Sequence, residues 1–193
     1  MKTQNIMIVG VGGQGSLLAS KLLGQLLTNA GYDTKVSEVH GMSQRGGSVV
    51  TYVRYGEKVY SPVIDKGQAD YIFSFELLEA ARWLSYLAPD GQIVTNTQQI
   101  EPMPVITGAA AYPENLVDKM KAAGAKVDAF DALALAERAG SSKAVNIVLI
   151  GRLSKYFPFP EDAWINALEE TVPLMFLELN RRAFESGASS VES

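Results

Sequence analysis

The chain has 193 residues, 47% hydrophobic and 20% charged, which is long enough to bury one substantial core in a single domain. Its formal net charge of −4 argues against a broad nucleic-acid surface, while zero cysteines and one histidine exclude disulfides, thiolate nucleophiles and cysteine-held clusters and disfavour any metal site. No segment keeps the roughly 20 apolar residues of a membrane span, and no secretory signal is evident, so we expect a cytoplasmic chain without membrane contacts.

The chain opens with a strand, a glycine turn and a helix. Residues 5–11 form a short apolar run that ends in glycines, which predicts a strand buried on both faces. Leucines then recur at three- to four-residue spacing from Ser16 to about Ala30, which predicts an amphipathic helix that ends at Gly31.

The next two segments have extended character. Residues 33–39 resume strand propensity, and residues 48–62 alternate around Gly56 and Glu57, which predicts two strands joined by a tight turn. Because apolar and aromatic side chains occupy both faces of this hairpin, we expect the hairpin and the loop before it to contact a partner subunit. The side chains concerned are Met42, Val49, Val50, Tyr52, Val53, Tyr55 and Tyr60.

The rest of the chain alternates strands and helices and then becomes helical. We expect strands at 69–76, 92–97 and 125–130, helices at about 77–87 and 114–123, a turn at 88–91, a crossing loop at 96–108 and only helices after Asp131. The pattern predicts a three-layer, Rossmann-like α/β open sheet, mostly parallel with an antiparallel hairpin, and a helical C-terminal region. We expect one domain over residues 1–187 and a disordered tail at 188–193.

The glycine turn, GVGGQG, is the first candidate site. It matches GxGxxG between a predicted strand and a predicted helix, which is the context that a nucleotide-binding turn requires. Its glycines permit a tight turn and close approach of a ligand, and the N–H groups at the helix start can hold an anion. The candidate cofactor-binding residues are Gly10, Gly12, Gly13, Gln14 and Gly15. Alternatively, these glycines only solve a packing problem.

The end of the second predicted strand and the loop after it supply the other candidates. Glu38 lies roughly 20 positions after the turn, near where a ribose-binding carboxylate belongs. The loop offers hydroxyl, amide and guanidinium groups suited to phosphate or carboxylate, with glycines that allow close backbone approach. The candidates here are Glu38, His40, Gly41, Met42, Ser43, Gln44, Arg45 and Gly46. Alternatively the loop is exposed and passive; we interpret His40 as a contact residue and assign no catalytic residue.

Four blocks of sequence carry a resemblance to a known family. In chain order they are IMIVGVGGQGSLLASKLLG, KVSEVHGMSQRGGSVVTYVRYGEKVYSP, NTQQIEPMPVITGAAAYP and KAVNIVLIGRLSKYF. Together they resemble the beta subunits of indolepyruvate:ferredoxin oxidoreductases, which are gamma-type subunits of the 2-oxoacid:ferredoxin oxidoreductase family. The resemblance runs from about residue 4 to residue 187, and VHGMSQRGGSV is far more specific than the glycine turn.

The resemblance implies an accessory subunit of an enzyme that oxidatively decarboxylates a 2-oxoacid, with indolepyruvate or another aryl 2-oxoacid as substrate. Such an enzyme uses thiamine diphosphate, passes electrons through iron–sulfur clusters to ferredoxin and releases an acyl-coenzyme A. Because the chain lacks cysteine and a recognisable thiamine-diphosphate segment, thiamine diphosphate, magnesium and the clusters are expected on a larger catalytic partner. By analogy, the glycine turn and the loop of residues 40–47 would face that partner or coenzyme A. The isolated chain would be inactive, and a homodimer of it is also compatible with the sequence.

Three other interpretations stay open at the level of sequence. The glycine turn with Glu38 fits a stand-alone NAD(P)-binding oxidoreductase, although the chain lacks an obvious second domain. The same turn with Arg45 fits an adenylating enzyme of the ubiquitin-activating type, although such proteins commonly carry zinc-binding cysteine pairs. A nucleotide-sensing regulatory module would need an output segment that the sequence does not show.

Overall fold

The computed structural model describes residues 2–39 and 47–191 of the chain. Within these residues the strands are β1 Gln4–Val11, β2 Asp33–Val39, β3 Ser48–Gly56, β4 Ala69–Ser74, β5 Leu87–Asn96 and β6 Lys126–Phe130. The α-helices are α1 Ser16–Asn29, α2 Leu77–Arg82, α3 Met103–Ile106, α4 Leu116–Ala122, α5 Ala132–Ala139, α6 Val145–Ser154, α7 Glu161–Thr171 and α8 Leu177–Ser189. Short 3-10 turns form at Leu84–Tyr86, Ser142–Ala144 and Leu174–Phe176. None of the helices described is long and apolar enough to cross a bilayer.

The six strands form one sheet in the order β2-β3-β1-β4-β5-β6. β1, β4, β5 and β6 run parallel, whereas β3 is antiparallel to both of its neighbours, β1 and β2. The predicted fold class, a mostly parallel α/β sheet with one antiparallel hairpin, is confirmed.

The hairpin consists of β2 and β3, so the predicted hairpin around Gly56 and Glu57 is wrong. β3 ends at Gly56, which faces Asp33 at the start of β2, and residues 57–68 contain no strand. Because β3 already pairs with a strand on each side, it offers no free edge to the segment that follows it. Side chains hold that segment instead, and Arg54 donates to two of its carbonyl oxygens at 2.8 and 2.9 Å.

Helices cover both faces of the sheet because successive side chains of β1 alternate between the faces. Ile6 and Ile8 pack in one core with α1 and the C-terminal helices α5 to α8. Met7 and Val9 pack in a second core with α2 and α4. All four side chains are fully buried, which confirms the three-layer arrangement and explains why this strand reads as a continuous apolar run.

Most of the apolar side chains of β3 belong to these cores rather than to a partner surface. Val53 and Tyr55 lie in the first core and Val50 lies in the second. The expected partner contact through both faces of the hairpin is therefore wrong for these residues, and for Val49, which is also buried. Tyr60 is exposed, in the segment that follows β3.

The predicted turn at residues 88–91 is an irregular part of β5. Ala69 of β4 pairs with Leu87 and Tyr71 pairs with Gln92, so the intervening residues of β5 bulge out of the register. Gly91 fits at this point because a Cβ there would lie 2.8 Å from the carbonyl oxygen of Ala69. The proline and glycine of this segment mark a bulge rather than a helix-to-strand turn.

The C-terminal helix α8 packs against α6 in backbone contact. A Cβ at Gly151 of α6 would overlap the carbonyl oxygen of Phe184, and a Cβ at Gly187 of α8 would overlap that of Val148. α8 continues to Ser189, so residues 188 and 189, which we expected in the disordered tail, are helical. Gly151 and Gly187 are therefore the residues that let the two helices approach.

Candidate functional site

The glycine turn leaves β1 at the carboxyl edge of the parallel strands, beside the end of β4. Two hydrogen bonds tie it to its neighbours: the N–H of Gly12 donates to the carbonyl oxygen of Gly47 at 2.9 Å, and the N–H of Phe75 donates to that of Val9 at 3.0 Å. These two bonds attach the end of β1 and the turn to the residue before β3 on one side and to the residue after β4 on the other. This is the edge of an open α/β sheet at which ligands bind.

Gln14 closes the turn with its own side chain. Its Oε1 accepts from the N–H of Val11 at 2.8 Å, and its Nε2 donates to the carbonyl oxygen of Phe75 at 3.1 Å. Both ends of the amide are engaged inside the protein. Gln14 therefore shapes the turn, a role that the GxGxxG pattern does not assign to the residue at this position.

The start of α1 presents an uncompensated positive end of a helix dipole. Gly13 and Gly15 adopt positive φ angles of 101° and 88°, and their N–H groups have no acceptor within residues 2–39 and 47–191. The first turn of α1 has neither an acidic residue nor a side-chain cap. Free N–H groups at a helix start attract anions.

A cavity of about 550 Å³ opens against this turn. Its polar lining includes Gly13 and Gly15 together with Gln98, which follows β5, and Lys143 and Asn146, which flank the start of α6. Lys143 is exposed and has no carboxylate partner in the described part of the chain. Its ammonium group and the start of α1 make the cavity suited to an anionic group.

Sequence reasoning missed Gln98, Lys143 and Asn146. Asn146 lies against the turn, because a Cβ at Gly15 would come within 2.7 Å of its Nδ2. The block that begins with Lys143 contributed to the family resemblance, but nothing in its pattern marks a ligand contact. Only the packing of α6 beside α1 brings it to the site.

Glu38 lies away from this cavity. β3 separates β1 from β2, so Glu38 on β2 is two strands from the glycine turn, and its Oε1 accepts from Oγ of Ser20 at 3.0 Å. In a dinucleotide-binding sheet the acidic residue follows the strand next to β1. The structure therefore does not bring Glu38 and the glycine turn together in one cavity.

The remaining predicted site residues lie outside the described residues. They are His40, Gly41, Met42, Ser43, Gln44, Arg45 and Gly46. The described chain stops at Val39, at the end of β2, and resumes at Gly47, whose carbonyl oxygen meets the glycine turn.

A buried carboxylate holds the segment that forms one side of the site. Glu76 follows β4 and is almost fully buried; its Oε1 accepts from the hydroxyl of Tyr112 at 2.6 Å and from the N–H of Ile100 at 3.0 Å. Its Oε2 accepts from the N–H of Glu79 at 2.8 Å and so caps α2. Burial, together with the hydrogen bond to Glu76, raises the pKa of the Tyr112 hydroxyl. Glu76 therefore acts as an acceptor that fixes the chain after β5.

Residues 2–39 and 47–191 contain no candidate metal site: no three histidine, cysteine, aspartate or glutamate side chains lie close enough together there to hold a metal ion. The whole sequence also contains no cysteine for an iron–sulfur cluster.

The sequence is similar to known oxidoreductase subunits along its whole length. Residues 5–190 match the pyruvate ferredoxin/flavodoxin oxidoreductase family. The chain is 46% identical to the indolepyruvate oxidoreductase subunit IorB of Thermococcus kodakarensis, over all of this chain and 98% of that relative.

The fold is similar to that of solved oxidoreductase structures. The pyruvate oxidoreductase subunit PORC of Thermotoga maritima superposes with a TM-score of 0.74 at 20% identity, over 97% of this chain and 96% of that one. The 2-oxoglutarate:ferredoxin oxidoreductase of Magnetococcus marinus, solved with 2-oxoglutarate, coenzyme A and succinyl-CoA bound, superposes with a TM-score of 0.75 at 19% identity. All of this chain is matched, but only 32% of that longer chain.

Proposed function

Because this chain belongs to the pyruvate ferredoxin/flavodoxin oxidoreductase family, we propose that it serves a cytoplasmic complex that oxidises indolepyruvate or another aryl 2-oxoacid. It is an accessory subunit of a 2-oxoacid:ferredoxin oxidoreductase. The observation that carries the choice of substrate is the full-length similarity to an indolepyruvate oxidoreductase subunit at 46% identity. The stand-alone NAD(P)-binding, adenylating and nucleotide-sensing interpretations are not favoured.

The chemistry of decarboxylation and electron transfer belongs to a larger catalytic subunit in this proposal. Without cysteine, the chain cannot ligate the iron–sulfur clusters that such a complex uses to reduce ferredoxin. Thiamine diphosphate and magnesium are assigned to the same partner. The present chain contributes surfaces that bind and position the catalytic subunit and coenzyme A.

The carboxyl edge of the sheet is the surface that we propose for the catalytic subunit. Leu17 at the start of α1 and Leu174 and Met175 in the 3-10 turn before α8 are large apolar side chains that remain exposed there. Phe176 of the same 3-10 turn lines one cavity together with Leu18 of α1, which places this group near the glycine turn. Exposed apolar clusters of this kind are typical of protein–protein contacts.

The glycine turn is the proposed contact for coenzyme A. The free N–H groups of Gly13 and Gly15, the start of α1 and the ammonium group of Lys143 surround a cavity large enough for a phosphorylated group. When bound, coenzyme A would accept the acyl group at its thiol, and this chain would hold its anionic part. Similarity in fold to an enzyme solved with coenzyme A supports the assignment.

Reconstitution of the complex tests the function directly. The full chain is coexpressed with its thiamine- and iron–sulfur-binding partner, and viologen reduction is measured with indolepyruvate, pyruvate and 2-oxoglutarate in the presence of coenzyme A. We expect copurification, activity only in the complex, and the highest kcat/KM with indolepyruvate. Viologen reduction by this chain alone, or failure of the two subunits to copurify, would contradict the proposal.

Reversal of the charge at Lys143 tests the coenzyme A contact. In the reconstituted complex, Lys143→Glu is expected to raise the KM for coenzyme A by about tenfold, equivalent to about 1.4 kcal/mol, because it places a carboxylate beside the bound phosphate. The KM for the 2-oxoacid should change little. Lys66→Glu is the matched control, since Lys66 is also exposed but lies outside the cavity. Equal KM values for coenzyme A in both variants would show that Lys143 does not contact coenzyme A.

A further inference from the structure

A second, smaller cavity lies next to the one at the glycine turn. It has a volume of about 240 Å³ and shares Lys143 and Asn146 with its neighbour. Its apolar wall combines α1, the segment before α8 and α8 itself. The apolar side chains are Leu18, Val172, Pro173, Phe176 and Leu179. Whole cofactors occupy pockets of roughly 300–1,000 Å³, so this cavity is of a size for one ring system rather than for a complete cofactor.

Two buried amide side chains supply the polar part of the lining. Asn146 and Asn180 are only 6% and 9% exposed. Nδ2 of Asn180 donates to the carbonyl oxygen of Phe176 at 2.8 Å, which leaves Oδ1 as the acceptor end of this amide. No donor reaches that Oδ1 within residues 2–39 and 47–191. Oδ1 is not one of the fully buried, unpaired side-chain atoms of the described residues, so it is accessible from the cavity and available to a donor on a ligand.

The aromatic ring of Phe176 forms part of the same lining and remains 47% exposed. A half-exposed ring that lines a cavity offers a flat apolar face to a planar ligand, because aromatic pairs prefer offset-stacked or edge-to-face contacts. The cavity thus combines an apolar wall, a flat aromatic surface and one unpaired acceptor.

We propose that this cavity binds a planar heteroaromatic ring that carries an N–H donor, with the ring against Phe176 and the donor on Oδ1 of Asn180. Two sources share this chemistry. One is the indole group of an aryl 2-oxoacid or of its acyl product, a choice of source that rests on the proposed function. The other is the base of a nucleotide whose phosphates lie on the glycine turn of the adjoining cavity.

Ligand-side probes test the proposal on the full chain without the catalytic subunit. Binding of indole and of adenosine is measured by saturation-transfer NMR at ligand concentrations of about 1 mM, which suits a ligand of ring size. Replacement of the ring N–H in 1-methylindole, and of both exocyclic amine protons in N6,N6-dimethyladenosine, is expected to weaken binding at least about tenfold, because Oδ1 of Asn180 loses its donor. Binding of indole identifies the aryl source, and binding of adenosine identifies the base.

Protein variants locate the ring in the cavity. Phe176→Ala is expected to abolish binding of whichever probe binds, whereas Leu174→Ala, in the same 3-10 turn but outside the cavity lining, should leave it unchanged. Thermal unfolding of both variants verifies that they are folded. The proposal is overturned if neither probe binds, if the methylated probes bind equally well, or if Phe176→Ala binds like the wild type. These outcomes do not involve assembly, so they are distinct from failure of the proposed function.

Discussion

Gly13 and Gly15 share a left-handed backbone conformation, but their surroundings differ. A Cβ at Gly13 would meet no atom within 4 Å, whereas one at Gly15 would lie 2.7 Å from Nδ2 of Asn146. Gly13 is therefore required by the backbone angle alone. Gly15 is required both by its angle and by the packing of α6 on the turn.

Alanine substitutions separate these two requirements. Gly13→Ala is expected to lower the free energy of unfolding by about 1–2 kcal/mol, which is the cost of a left-handed alanine. Gly15→Ala should cost more, because Asn146 must also move. Urea denaturation measures both, and Gly31→Ala serves as control, since Gly31 has a φ of 84° and no neighbour within 4 Å. Equal losses at Gly13 and Gly15 would show that the contact with Asn146 is inconsequential.

At the scale of elements, the hydrogen bonds of Glu76 join β4 and α2 to the chain that crosses after β5. Tyr112 reaches Glu76 from a position 36 residues away, and its hydroxyl also accepts from the N–H of Leu78 at 3.0 Å. The crossing segment carries Gln98, which lines the glycine-turn cavity. One buried carboxylate therefore positions a wall of the site.

Tyr112→Phe tests this connection and its pH dependence. Loss of the hydroxyl is expected to lower the free energy of unfolding by about 1–3 kcal/mol near neutral pH, because Glu76 and the N–H of Leu78 each lose a partner. The pKa of Tyr112 is raised in the folded protein from its ordinary value of 10.0, so the unfolded chain releases the proton first. The wild type should therefore keep its full stability advantage over Tyr112→Phe below pH 10. This difference in the free energy of unfolding should shrink as the pH rises above 10.

Denaturation from pH 7 to 11 provides the measurement for Tyr112→Phe. Tyr60→Phe is the control, because Tyr60 is exposed and takes part in none of the hydrogen bonds of Glu76 described above. If the difference in the free energy of unfolding between wild type and Tyr112→Phe stays constant across this range, folding does not raise the pKa of the Tyr112 hydroxyl and the prediction is wrong.

At the scale of the whole molecule, one buried ion pair joins the far strand of the sheet to the C-terminal helices. Nε and NH2 of Arg152 donate to the two carboxylate oxygens of Asp128 at 2.6 and 2.8 Å, and both side chains are buried. NH1 of Arg152 donates to Ser190, and the hydroxyl of Tyr156 donates to Asp128 at 2.8 Å. β6, α6 and the chain after α8 are thus fixed by a single guanidinium group.

Removal of one partner from this pair should be strongly destabilising. Arg152→Met is expected to lower the free energy of unfolding by about 3–5 kcal/mol, because it leaves the carboxylate of Asp128 buried without its counter-charge. The combined variant Arg152→Met with Asp128→Leu should recover part of the loss. Arg181→Met is the control, since both side chains of its ion pair with Glu169 are 41% exposed, and ion pairs in contact with solvent contribute only about 0–1 kcal/mol. A loss as small as that of the control would contradict a structural role for the pair.

Local patterns in the sequence were sufficient for most of the elements. The apolar run of β1, the leucine spacing of α1 and the helical periodicity after Asp131 depend on neighbours within a few residues, so they can be recognised without knowing the fold. The predictions failed where a distant strand or helix decided the outcome. No hairpin follows Gly56 because both edges of β3 are occupied, Gly91 lies in a bulge, and Gly187 allows contact between α6 and α8.

By itself the sequence determined the family, the absence of cysteine ligands, the fold class and the glycine turn at the start of the first helix, since all of these lie in composition or in contiguous motifs. Only the tertiary structure decided that β3 separates Glu38 from that turn and that Lys143 and Asn146 lie beside it. It alone also revealed the cavity around Phe176 and Asn180. The physical reason is that these features come from the pairing and packing of segments that are distant in sequence, such as β1 with β3 and α1 with α6, for which no local pattern provides a signal.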